Sequence, residues 1–463
     1  MICAVRAGFA DMASAMNREL KLFFFVVAAK IVLLAAVLLV FGESRLIWSD
    51  SATYIAIGRN IFEGHGFSTT DTDRVIFTPN SIRTPLYPFI VGLFETYIPH
   101  GLVVVSFLQA VAAGFIALLV YKLGLLFFSP KWALLTALAV SFEPLISSIH
   151  ILILPETFLV LFLLIFIFFF LRYFTEQYAK NLYISAVALA LAVYVKPVAL
   201  YLFFVPCIFL LFQKRGVVKM FLFLVILFVL LAPWMARNKA VVGTFDMTTD
   251  DTGNLCGWEM VGILAAKYRI DSSDFTTLYA LPEYATAKSK CTSTVFALTM
   301  FLTEYPSHFL KTSILSAAAL LTNDGYSGAF FKKPPDQQTK IHHNYLTPAV
   351  FTNTDWRAKI SAAAGELTVV ELAVVIAGKV FWTFIAIMSV FGAMRLVFIE
   401  KSSLAVFLLL VVLYFITVTV TSTGFGVGAR LRYPIDPLLL LFAVYRLRNI
   451  QSLRAYGGYS QKT

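Results

Sequence analysis

Apolar runs of membrane-spanning length recur along this chain from one end to the other, and they leave few fold classes open. A bilayer core is crossed by about 20 residues of helix, and backbone without water must bond to itself. The runs lie near 22–41, 102–121, 132–149, 154–171, 182–195, 197–212, 217–236, 372–394, 404–421 and 434–446. They predict an all-α polytopic membrane protein, a bundle of about ten transmembrane helices. Composition agrees: 59% of the 463 residues are hydrophobic and 14% charged. Soluble domains are closer to about half and about a quarter.

The run near 22–41 follows Arg18 and Lys21, is too long for a signal peptide and lacks a cleavage pattern, so it reads as a retained first span. Two further runs, 85–98 and 308–321, are short for a span and read as juxtamembrane helices that lie flat or re-enter on the outer face.

Lys and Arg set the topology. With the N-terminus cytoplasmic, the inward loops hold Lys122 and Lys131, Arg172 and Lys180, Lys214, Arg215 and Lys219, then Arg395 and Lys401; Arg446, Arg448 and Arg454 lie in the tail. The cations recur at every second loop, as the positive-inside bias requires. Residues 43–100 and 237–371 then face outward. Three parts follow: an N-terminal transmembrane module, 1–236, with its first outer loop at 43–100; a small outer-face cap, 237–371; and C-terminal helices with a cytoplasmic tail, 372–463. The net charge of +11 is accounted for by topology and anionic headgroups rather than nucleic acid. Cys256 and Cys291 both fall in the outward segment, either as a disulfide or as two buried thiols. No metal-ligand spacing, phosphate-binding loop or dinucleotide fingerprint occurs.

The first outer loop concentrates polar chemistry. Asp50 follows Trp48 and Ser49 just past the first span; Ser49, Asp50 or Ser51 is placed to cap a helix that carries Tyr54, Ile57 and Ile61 on one face. A cap position at the membrane boundary is also a pre-oriented carboxylate. Glu63-Gly64-His65-Gly66 is a Gly-flanked turn holding a carboxylate and an imidazole, whereas Asp71 and Asp73 read as solvated charges. Arg83 enters the stiff Thr84-Pro85 segment and suits bidentate phosphate binding, or headgroup snorkelling. Further charges recur at outward boundaries: Glu156, Lys196, Arg237, Arg430 and Arg432. Each is an interfacial anchor or a ligand. Cations kept outside against the positive-inside bias need a reason, and an anionic ligand supplies one.

These landmarks carry a family resemblance. Asp50, YIAIGRNIFEGHGFS, IRTPLYPFIVGLF, LPETFLVLFLLIF, PWMARNKAVVGTF and ARLRYPIDPLLLLFA, in that order over about 20–446, resemble the GT-C superfamily of polyprenyl-phosphate-dependent membrane glycosyltransferases. The branch is that of aminoarabinose transferases, lipid-A-core galacturonosyltransferases and protein O-mannosyltransferases. The resemblance implies a GT-C-like bundle and inverting sugar transfer from a polyprenyl-phosphate donor to an envelope glycolipid, polysaccharide or protein. The expected setting is the periplasmic face of a bacterial inner membrane. It implies Asp50 as base or acceptor-orienting group, with Glu63 and His65 as secondary catalytic candidates. The lipid phosphate would be held by Arg237 and Arg432, more loosely by Arg83 and Lys196, with Glu156 in the same set. Protein-mannosylating members often carry adjacent acidic residues where Ser49 precedes Asp50 here, so acceptor class and a divalent metal stay open. Two other classes compete. A transporter or flippase would use mid-membrane charges such as Lys30 and Lys379; a polysaccharide polymerase or ligase would use loop residues such as His342 and His343.

Overall fold

The computed structural model describes residues 2–70, 76–272, 274–326 and 367–457, with single positions at 357, 361 and 365. His342 and His343, Asp71 and Asp73 lie outside the described residues. The chain groups into two compact units, Met1–Arg237 and Asn238–Thr463. The expected cap segment and the C-terminal helices thus share one unit.

The first unit is built from α1 (Ile2–Phe41), α2 (Ser51–Phe62), a hairpin of β1 (Ser68–Thr70) and β2 (Phe77–Pro79), α3 (Leu86–Tyr97), α4 (Gly101–Gly124), α5 (Pro130–Phe142), α6 (Pro144–Ile149), α7 (Glu156–Glu176), α8 (Ala179–Val195), α9 (Phe204–Leu211) and α10 (Gly216–Val242), whose last turn opens the second unit. α4 is the hub, packing on α1, α3, α5 and α7. α2 and α3 form a tight pair, because Gly58 and Gly92 let the two backbones touch. A Cβ at Gly58 would meet the Gly92 nitrogen at 2.7 Å. The short run at 85–98 is a single 12-residue helix, α3, as its length predicts.

Among the described residues six helices are long and apolar enough to cross a membrane: Met16–Phe41, Gly101–Gly124, Glu156–Glu176, Gly216–Val242, Val369–Ile399 and Ser403–Gly426. The other expected spans are the shorter apolar helices Pro130–Phe142, Ala179–Val195 and Pro197–Leu211, and the helix Asp436–Gly457. The run expected as one span over 132–149 is broken after Phe142. Pro144 cannot continue a helix, and the Glu143 carboxylate caps the next one by accepting from the Ile146 N–H at 2.7 Å. The chain then runs non-helically until α7.

The second unit comprises α11 (Asp250–Asn254), a wide π turn (Leu255–Glu259), α12 (Met260–Tyr268), α13 (Phe275–Tyr279), α14 (Pro282–Lys290), α15 (Thr294–Glu304), α16 (Pro306–Thr322), α17 (Val369–Met394), α18 (Ser403–Thr423) and α19 (Asp436–Gly457). Its core joins Met260, Ile263, Leu264, Phe301, Phe309 and Phe425. Cys256 and Cys291 form a disulfide beside that core, which settles the choice left open by the sequence. α16, the second short run, packs on α12, α17 and α18.

Glu259 is fully buried there. Its Oε1 accepts from Thr312 Oγ1 at 3.1 Å, and the Gly424 backbone adds a hydrogen bond. Gly424 has φ +49°, and a side chain at that position would meet the Trp258 carbonyl oxygen at 2.7 Å. Burial outweighs both hydrogen bonds and raises the carboxyl from its usual 4.5 to about 8. A carboxyl protonated in the fold stabilises it fully below the unfolded value, and that contribution is lost as pH rises through the folded one. The thermal midpoint of the purified protein should therefore fall between pH 5 and 9, relative to Glu259→Gln, and converge with it at the acid end. Parallel pH curves for the two proteins would refute this.

Candidate active site

The non-helical stretch between α6 and α7 organises the candidate site. Its carbonyls lie in a packed interior and need donors. Ser106 Oγ donates to Ile151 O at 2.7 Å, Gln109 Nε2 to Leu152 O at 2.6 Å and His150 O at 3.3 Å, and Ser51 Oγ to Ile153 O at 2.7 Å. The Ile153 N–H donates to Leu46 O at 2.9 Å. The start of α2 is thereby tied to the start of α7. Lys30, in the first span, is consumed at the break before it, donating to Ser141 O and, at 2.7 Å, to Ser147 Oγ.

Asp50 occupies the cap position of α2, but its side chain makes no capping hydrogen bond to the helix. Ser51 takes part instead, accepting from the Trp48 N–H at 2.8 Å. The Asp50 carboxylate stands 3.7 Å from Arg83 Nη2, with about a quarter to a third of each side chain exposed. Arg83 is aimed by two features. Asn80 Oδ1 accepts from the N–H groups of Ile82 and Arg83, both at 3.0 Å, which fixes the turn. The guanidinium then lies over the Tyr54 ring at 5.1 Å.

Tyr54 meets Tyr87 edge-on, with ring centroids 5.1 Å apart. Tyr87 is buried and donates to Gln109 Oε1 at 2.9 Å. Burial first, then Tyr54 and Glu156, pushes its phenol well above the usual range, so it stays a donor. Glu156, the first residue of α7, pairs with Lys196 Nζ at 3.0 Å; its side chain is 2% exposed and that of Lys196 22%. The sequence candidates Asp50, Arg83, Glu156 and Lys196 are thus drawn together through Tyr54, which the sequence places only on a helix face, and through Asn80, Tyr87 and Gln109, which it does not single out. Asn80 alone carried a readable signal, as a turn residue before a Pro-flanked helix.

Glu63 and His65 lie at the far end of α2, and both are exposed. His65 stacks on Phe77 at 3.7 Å. Glu63 lines a cleft of about 350 Å³ with Ala52, Ile55, Ala56, Arg59 and Glu95. Helical spacing sets this face opposite the one bearing Tyr54, Ile57 and Ile61. Arg59 and Glu95 pair across it at 2.6 Å. Among the described residues no group of three or more His, Cys, Asp or Glu side chains is placed to hold a metal ion.

Arg237, near the end of α10, spends its fork on the first loop, donating to Asn80 O at 2.6 Å and Phe67 O at 2.8 Å. In the second unit Arg432 is fully buried. It lies over Trp382 and donates to Asp436 Oδ1 at 2.7 Å, Leu320 O at 2.8 Å and Asn323 O at 2.6 Å; its Nη2 has no hydrogen-bond partner among the described residues. Beside it, Lys379 donates to Asn323 Oδ1 at 3.1 Å and faces Asp324 at 3.7 Å. Lys30 and Lys379 are therefore both held by local partners.

Residues 82–236, about a third of the chain, match the family model described as dolichyl-phosphate-mannose-protein mannosyltransferase. That stretch includes Arg83, Glu156 and Lys196. No curated protein matches the chain in sequence. Among solved structures, the apo oligosaccharyltransferase of Archaeoglobus fulgidus superposes with a TM-score of 0.52 at 13% identity, covering 96% of this chain. The chain spans 52% of that protein's length. The same organism's oligosaccharyltransferase AglB, in complex with an inhibitory peptide and a dolichol-phosphate, gives 0.49 at 15% identity, covering 97% of this chain and 52% of its own. ArnT from Cupriavidus metallidurans, bound to undecaprenyl phosphate, gives 0.37 at 12% identity, with 90% and 76% covered. The resemblance to the GT-C superfamily, and the all-helical polytopic fold it implies, are borne out.

Gln109 satisfies three buried groups at once: the Tyr87 hydroxyl, His150 O and Leu152 O. Gln109→Leu should cost at least about 3 kcal/mol, since each buried polar group left unmade costs about 1–3 kcal/mol. Denaturant unfolding in detergent measures this; a loss below about 1 kcal/mol would mean that these bonds do not hold the site together.

Proposed function

We propose that the chain is an inverting glycosyltransferase that moves a sugar from a polyprenyl-phosphate-linked donor to an envelope acceptor, glycolipid, polysaccharide or protein. The observation that carries it is the Asp50–Arg83 pair at 3.7 Å, a base and a cation set side by side at the head of α2. The mannosyltransferase family match begins at residue 82, next to Arg83.

In this reading the Asp50 carboxylate takes the proton of the acceptor O–H or N–H as that atom attacks the anomeric carbon. The bond from that carbon to the phosphate oxygen breaks, and the lipid phosphate leaves with the electron pair. Arg83 meets the growing negative charge. Grooves between the apolar helices accommodate the isoprenoid tail. Arg432 offers Nη2 to an anion within the second unit.

The reaction is assigned to the outer face, periplasmic in a bacterial inner membrane. The positive-inside pattern supports that side, and so does the disulfide of the second unit, which suits an oxidising compartment.

Asp50→Asn should lower sugar transfer by roughly 10²–10⁴-fold, the range for a lost general base, while the protein still inserts and binds polyprenyl phosphate. Transfer from a radiolabelled polyprenyl-phosphate sugar in proteoliposomes reads this out. Full activity in Asp50→Asn would sink the assignment.

A further inference from the structure

Arg237 has the signature of a boundary cation, yet its guanidinium does not reach outward. One arm of the fork takes Asn80 O at 2.6 Å and the other Phe67 O at 2.8 Å. Those two carbonyls lie at the base of the β1–β2 hairpin, one just before β1 and one just after β2: the register pairs Ser68 with Pro79, and the Asn80 N–H closes the next rung onto Phe67 O at 3.0 Å. The guanidinium also lies against two rings, 5.4 Å from Phe67 and 4.9 Å from Trp234, which meet each other edge-on at 4.7 Å.

Three-residue strands do not hold a hairpin closed by themselves. The fork supplies what they lack, with two charge-assisted hydrogen bonds in fixed geometry. Asn80 passes the order on. Its carbonyl is held by Arg237, while its side chain holds the Ile82 and Arg83 amides that aim Arg83 at Asp50.

We infer that Arg237 is a positioning residue: it clamps the base of the first-loop hairpin and, through Asn80, sets the aim of Arg83 on Asp50, rather than binding the donor phosphate itself. The clamp rests on geometry alone. Its consequence for turnover rests on the proposed sugar transfer.

Hydrogen exchange on the full chain in nanodiscs tests the clamp without any assay of activity. In Arg237→Ala the amides of Asn80, Ile82 and Arg83 should exchange about tenfold faster or more, as lost hydrogen bonds allow. Asn80→Ala keeps the carbonyl that Arg237 grips but removes the turn cap. It should free Ile82 and Arg83 and spare the amide of residue 80. Arg237→Lys, offered in case the alanine variant fails to fold, cannot bridge two carbonyls as a planar fork does and should fall between. With polyprenyl-phosphate sugar as probe, Arg237→Ala should lose kcat, by up to about 100-fold for a misplaced group, with the donor KM nearly unchanged. Unchanged exchange at all three amides in both Arg237 variants overturns the clamp whatever the activity. A raised donor KM with normal exchange makes Arg237 a phosphate ligand instead. If the wild type transfers no sugar, the proposed reaction falls and the exchange result still decides the clamp.

Discussion

The site in the first unit leans on six residues of backbone that are not helical. A membrane bundle solves its backbone hydrogen bonding by helix, and any interruption must find donors inside the protein. Here the interruption runs from His150 to Pro155, and three side chains from two helices supply the donors: Ser51, Ser106 and Gln109. Those donors are also what places the site. Ser51 anchors the residue after Asp50, and Gln109 anchors Tyr87. Glu156 follows directly on the satisfied stretch. A helix continuous from α6 into α7 would need none of these donors, and it would give Asp50 and Glu156 no common reference.

The break is itself maintained by charge. Lys30 sits in a span where an isolated ammonium is costly, and its role is to cap the end of α5 and hold Ser147 beyond it. Glu143 does the opposite job at the start of α6, accepting from its first turn. A cation at a helix C-terminus and a carboxylate at a helix N-terminus each match the local dipole. These two mid-chain charges therefore stabilise a discontinuity. The same charges in a transporter would line a path, but a path needs groups whose partners exchange, and these partners are helix ends.

Much of the fold is readable before the structure. Run length separates α3, 12 residues, from true spans, because bilayer thickness is a fixed ruler. The helix after Asp50 is readable from Tyr54, Ile57 and Ile61. The Pro144 break is less readable, since the run stays apolar through it and hydropathy does not register a missing N–H. Pairings are not readable at all. Nothing in the spacing of Phe67, Asn80 and Arg237 says that one guanidinium will close one hairpin across more than 150 residues of chain. Likewise Asp50 looks like a cap, and the neighbouring Ser51 takes the hydrogen bonds instead.

Arg83, Lys196 and Arg237 differ in what each would lose by releasing its present partner. A cation can lend itself to a phosphate only if its present partner can be released. Arg237 would have to open the hairpin base. Lys196 would strand a carboxylate that is 2% exposed, and breaking a buried pair costs about 3–5 kcal/mol. Arg83 differs. Its pair with Asp50 is partly solvated and 3.7 Å apart, and such exposed pairs contribute about 0–1 kcal/mol. In the proposed reading, turning from Asp50 to the leaving phosphate therefore costs Arg83 little.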